Sequence, residues 1–213
     1  MSLARRATAL AATVALAAGA SLVAAPAGTA ASSGNRSLAK VLTSDGNRFD
    51  HDSGDFDIAT EAVLAVVKAK PGSPVTILTK GKQRVTAFVP TDQAFRVLVY
   101  DVTGKWLVKE KKVFAAAASL GIDTIETVLL YHVVPGATIT SKQALKADGV
   151  ALTTAQGGKV TVDVLDPNSG KIRLQDLDPD DVDPFTVPKL LDINKGNKQI
   201  AHGISYVLRP VNL

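Results

Sequence analysis

The chain has 213 residues, with 24 Lys and Arg against 20 Asp and Glu, a net charge of +4. It has no Cys and only three His, which excludes disulfide scaffolds, thiolate metal sites and cysteine nucleophiles. With 46% hydrophobic and 21% charged residues it is a folding chain, long enough for one domain with a substantial core.

Residues 1–30 read as a cleavable secretion signal. Arg5 and Arg6 come first, an uncharged Ala-dominated run follows from Ala7 to Val23, and small residues from Ala25 to Ala30 close it. A spanning helix needs about 20 strongly apolar residues, and this run is shorter and weaker. The Arg pair raises a twin-arginine route, but Ala7 and Thr8 fit it poorly, so general secretion is expected. Removing these residues leaves 22 basic against 20 acidic side chains, a charge of +2, with no case for nucleic acid. The expected location is secreted and extracellular, with loose cell-wall association as a variant. No stable membrane span should remain after cleavage. A chain without disulfides fits bacterial export.

Residues 31–37 are small and polar and read as a flexible lead-in. Leu38, Val41 and Leu42 suggest a short helix. Ile58, Ala62, Val63, Val66 and Val67 recur at helical spacing, which predicts a helix from about 57 to 69, with Asp55 and Asp57 at its N-terminus and Pro71-Gly72 after it. Val75 to Leu78 is a short apolar run. Val85 to Val89 is a strand stopped by Pro90. Thr91 caps the next helix, which turns Ala94, Phe95, Leu98 and Val99 inward. Trp106 to Leu120 is helix-prone and ends at Gly121. Asp123 and Glu126 resemble a capping box before Ile125, Val128, Leu129 and Leu130. Ser141 caps a short helix reaching Lys146. From residue 150 the period becomes two: Val160, Val162 and Val164, then a turn at Asp166 to Gly170, then Ile172 and Leu174. Ile204, Tyr206 and Leu208 alternate again. Helices first and strands later give an α+β class and a single domain over residues 38–213.

Three segments carry a resemblance. Thr86 to Phe95 (TAFVPTDQAF), Leu129 to Gly136 (LLYHVVPG) and Ile200 to Pro210 (IAHGISYVLRP) stand in the order and spacing of a fasciclin-like domain. The chain departs from the family pattern where Lys198 follows Asn197 and where Ser205 replaces an Asp. It also carries extra sequence around Asp101–Lys112 and Asp176–Val187. The resemblance implies a β-wedge with helices from the N-terminal half packed against it. It also implies an adhesion or interaction role outside the cell and no catalytic activity.

Tyr131 and His132, with Pro90, Thr91 and Asp92, are the candidate contact residues that the resemblance implies. Phe95 and His202 belong to its structural motif. The competing role for His132 is a hydrogen-bonded core histidine that pins the following turn, and this is favoured. His202 has the same reading, and a joint His132–His202 metal site lacks a third ligand. Asp176, Asp178 and Asp180 begin like a calcium loop. However, Asp181 stands where the turn Gly belongs and Val187 where a bidentate Glu belongs, so a solvated acidic insertion fits better and calcium is a weak candidate. No hydrolase elbow, zinc-protease helix or phosphate-binding glycine loop is present. The reading is a non-enzymatic module without cofactor that binds extracellular protein or glycan. The alternative is a secreted small-ligand binder using a pocket between wedge and helices.

Overall fold

The computed structural model describes residues 34–44, 46 and 49–212. The secretion-signal reading for 1–30 and the first part of the lead-in lie outside the described residues. Gly34 to Ser37 are tied down: Gly34 bridges in parallel to Asn197, and the Asn197 side chain accepts from the Arg36 amide at 3.0 Å.

Six α-helices are described: α1 (Leu38–Leu42), α2 (Asp57–Ala69), α3 (Asp92–Thr103), α4 (Glu110–Ala118), α5 (Ile122–Tyr131) and α6 (Ser141–Ala144). The strands are β1 (Val85–Pro90), β2 (Val133–Pro135), β3 (Ala151–Thr153), β4 (Lys159–Asp166), β5 (Lys171–Gln175) and β6 (Gln199–Ile204). Helix α2 falls where its apolar period put it, with Ile58, Ala59, Ala62, Val63 and Val66 buried. The run Val75 to Leu78 is a 3-10 helix, with Ser73 as cap and Pro74 in its first turn.

Two three-stranded sheets form. One has the order β2-β1-β6, with β1 antiparallel to β2 and parallel to β6. The other is the antiparallel meander β3-β4-β5. Phe185 and Thr186 bridge them, pairing with Arg173 of β5 on one side and Ile204 of β6 on the other. The first sheet is covered on both faces, so β1 and β6 are buried throughout. Alternation then sorts side chains between two cores. Val85, Ala87 and Val89 face the helices, and Phe88 joins Val160, Val162, Ile172 and Leu174 between the sheets. Each such Val, Ile, Leu or Phe side chain contributes about 1.5–3 kcal/mol on burial.

Four boundaries differ from the sequence expectation. The segment from Trp106 is not helical until Glu110. Gly104 ends α3 in a left-handed conformation (φ 69°), which a side chain adopts only with strain, and the chain runs on without helix to Lys109. Asp123 and Glu126 do not cap α5. Gly121 is its N-cap, and both carboxylates bind the Lys70 ammonium, Asp123 at 2.7 Å. The last strand ends at Ile204, so the spacing of Tyr206 and Leu208 belongs to irregular chain. Helix α6 is capped by Thr140, one residue before Ser141, in a reciprocal pair with Gln143. Among the described residues no single helix is long and apolar enough to cross a membrane. Helices α4 and α5 pass that test together but meet at a bend of 104°.

Candidate functional site

The three motif segments converge on one another inside the protein. Thr91 closes β1 and caps α3, its Oγ1 accepting from the Ala94 amide at 3.3 Å. Asp92, fully buried, reaches the other way. Its Oδ1 accepts from the amide of Ile58 in the first turn of α2 at 3.0 Å. Its own amide donates to the Asp55 carbonyl at 3.1 Å, and the Gln93 amide donates to the Ser53 carbonyl at 2.8 Å. Thus Thr91 and Asp92 fix two helix N-termini, where orphan amides and the helix dipole both favour an acceptor.

Carboxylates crowd around Asp92. Ligand oxygens of Asp57, Asp92 and Glu110 lie within 4.8 Å of one another, as do those of Asp50, Asp55 and Asp57. These are the groups that could hold a hard cation among the described residues. The cluster is partly neutralised from within: Arg96 pairs with Glu110 at 2.9 Å. Burial, assisted by the neighbouring Asp55 and Glu110, pushes the Asp92 carboxyl up to about 8, so it holds its proton at neutral pH. Asp55 is raised as well, again first by burial.

Tyr131 and His132 end α5. Tyr131 is fully buried and donates its hydroxyl to the Lys159 carbonyl of β4 at 2.7 Å. His132 makes two backbone bonds, Nδ1 to the Val128 carbonyl at 2.7 Å and Nε2 to the Leu208 amide at 2.9 Å. A carbonyl only accepts and an amide only donates, so the ring is neutral with its proton on Nδ1. Burial depresses it to about 4. His202 repeats the device with the opposite tautomer. Its Nε2 donates to the Ile139 carbonyl at 2.8 Å, and its Nδ1 accepts from the Asp192 amide at 3.3 Å. Its pKa is likewise lowered by burial.

The side chains of Pro90, Thr91, Asp92, Phe95, Tyr131, His132 and His202 are therefore all buried. The structure brings them together as joints between elements, with no exposed face among them.

The acidic loop is organised around a cation of the protein's own. Arg209 pairs with Asp101 at 2.7 Å, Asp181 at 2.9 Å and Asp178 at 3.6 Å. Asp176 accepts from the Arg209 and Asp178 amides, and Asp178 from the Asp180 amide. Burial still lifts Asp181 to about 7. Of the calcium candidates, Asp176 and Asp178 thus serve turn amides and a guanidinium, and Asp180 accepts from the Asn212 side-chain amide. Arg209 was not singled out from sequence, because its partners lie 28 to 108 positions away. Gln199 was also missed. Its fully buried amide accepts from the Leu38 amide at 2.8 Å and donates to the carbonyls of Ile77 and Lys80, pinning α1 and the 3-10 helix to β6.

The Fasciclin domain family model matches residues 60–210, most of the chain. The chain belongs to the fasciclin-domain family. Fasciclin domains act as adhesion and interaction modules and are not catalytic. Fifteen solved chains match. One is a FAS1 domain pair from the insect cell adhesion molecule fasciclin I, with 20% identity, a TM-score of 0.49, and coverage of 71% of this chain and 46% of that one. The chain thus spans about half the length of that relative. No curated protein sequence matches it.

Proposed function

We propose that this fasciclin domain is an exported, non-enzymatic adhesion module that binds extracellular protein or glycan at a cell surface or matrix. The observation that carries the reading is family membership over residues 60–210. Because the signature residues are buried as joints, the partner is met by the loops that those joints hold in place. A single domain presenting such loops gains affinity by multivalent display at a surface. The test is retention of purified tagged protein on intact cells and isolated envelope material, with and without calcium. Saturable retention that survives moderate salt is the expected result, and no retention in either condition counts against the reading.

The small-ligand reading has one observation in its favour. A cavity lined almost wholly by apolar atoms lies between α2, α4, α5 and β1, where Ala59, Ala62, Ala87 and Ala117 leave space beside Phe114 and Leu129. Its volume is about 70 Å³. An apolar cavity that admits benzene measures about 150 Å³. The space is therefore small for a ligand unless the helices part, and adhesion remains the better-supported reading. A thermal-shift screen of apolar fragments decides between them, since a ligand at 100 times its Kd adds about 2.7 kcal/mol of stability.

A further inference from the structure

Four of the eleven large apolar side chains exposed among the described residues fall within nine positions: Tyr100, Val102, Trp106 and Val108. Trp106 is 52% exposed and Val108 63%. They lie on the end of α3 and on the non-helical link to α4. The link is held in shape. The Gly104 amide bonds the Tyr100 carbonyl at 2.7 Å, the Lys105 amide bonds Thr103 Oγ1 at 3.2 Å, and the Tyr100 and Trp106 rings meet edge to face at 5.9 Å.

The link and the first turn of α4 are rich in lysine. Lys105 and Lys109 on the link and Lys111 and Lys112 on α4 are all exposed. The acidic residue among them, Glu110, is buried and paired with Arg96, and Asp101 beside Tyr100, although exposed, is neutralised by its pair with Arg209. Trp and Tyr with aliphatic neighbours and a collar of lysines are the chemistry of the headgroup boundary of a bilayer. There, amphipathic rings settle at the interface and ammonium groups meet lipid phosphates. A sugar chain would use the ring faces but leave Val102 and Val108 without a role. We propose that the α3–α4 link is a membrane-docking surface that takes an anionic lipid bilayer. This inference does not rest on the adhesion reading, because it uses none of the motif residues.

Trp106 is the protein's single Trp, so its emission reports this link and not the apolar stretch at residues 7–23. The experiment adds the purified protein to vesicles of phosphatidylcholine alone and of phosphatidylcholine with phosphatidylglycerol, with co-sedimentation in parallel. The expected result is a shift of Trp106 emission to shorter wavelength on the anionic vesicles only, weakening as salt is raised. Neutralising lysines (Lys109→Gln, Lys111→Gln, Lys112→Gln) weakens binding about fivefold each. Trp106→Ala reduces co-sedimentation with little change in melting temperature, because the side chain is half exposed and its ring contact is with Tyr100 of the same surface. No emission shift on anionic vesicles overturns the proposal, as does an equal shift on neutral ones. A shift with a soluble anionic polysaccharide but none with vesicles overturns it too, and reassigns the surface to glycan.

Discussion

Asp92 caps a helix to which it does not belong: its Oδ1 accepts from the amide of Ile58, 34 positions earlier, at 3.0 Å. Helix α2 has no side-chain cap of its own, since Phe56 stands at its N-cap. Asp92→Ala removes the acceptor and should cost about 1–2 kcal/mol in urea unfolding. Asp92→Asn keeps an acceptor and cannot ionise. The wild-type carboxyl has a folded pKa near 8 against 3.8 unfolded, so the native state binds the extra proton and stability falls as pH rises between those values. The Asn variant should flatten that part of the slope. A wild-type profile with no loss of stability toward pH 8 removes this account.

His132 sets the opposite slope. Its folded pKa is about 4 against 6.5 unfolded, so the unfolded chain binds the proton first as pH falls. The stability it confers is complete above about 6.5, declines down to about 4, and is absent below. His132→Gln should reduce the drop in melting temperature between pH 7 and pH 4.5, while lowering the melting temperature at pH 7. His202, also depressed by burial, adds a contribution of the same sign.

Arg209 holds buried acidic groups that have little else to balance them. Arg209→Met should cost about 3 kcal/mol in chemical unfolding, because breaking a buried pair strands its partners. Adding calcium or chelator to the wild-type protein should leave the melting temperature unchanged, since the guanidinium already sits among the carboxylates. A calcium-dependent rise would restore the loop as a metal site.

Gly203 follows His202 in the closing motif because nothing larger fits. A Cβ there would lie 2.5 Å from the Leu190 Cβ and 3.2 Å from the Phe56 ring. Gly203→Ala should cost about 1–3 kcal/mol by overpacking. The paired variant Gly203→Ala with Leu190→Gly, which removes the clashing Cβ, should recover part of the loss, as measured by a double-mutant cycle.

Local pattern made much of the fold legible. The period of α2, the alternation of Val160 with Val162, and the turn from Asp166 to Gly170 all act within a few residues, and each fell where expected. β6 was harder, because a strand covered on both faces has no alternation to read. Trp106 was placed in a helix by composition, but a left-handed Gly104 two residues before it had already ended α3. The motif strings were visible in sequence, as were the cap at Thr91 and a hydrogen-bonded core role for His132, whereas their distant partners were not. Asp92 meets Ile58, His132 meets Leu208 and Arg209 meets Asp101 only after the chain has folded.

The parallel pairing of β1 with β6 has a kinetic side. Val85 registers with Gln199 and Pro90 with Ile204, so the central strand waits for a partner made more than a hundred residues later. Contacts this distant in sequence slow folding, since loop closure comes before any gain from pairing. During synthesis the β6-facing edge of β1 stays unpaired, and an open strand edge is a template for other chains. The nascent protein is therefore most exposed to aggregation just before its last strand emerges, and loss of the final fifteen residues would make that state permanent.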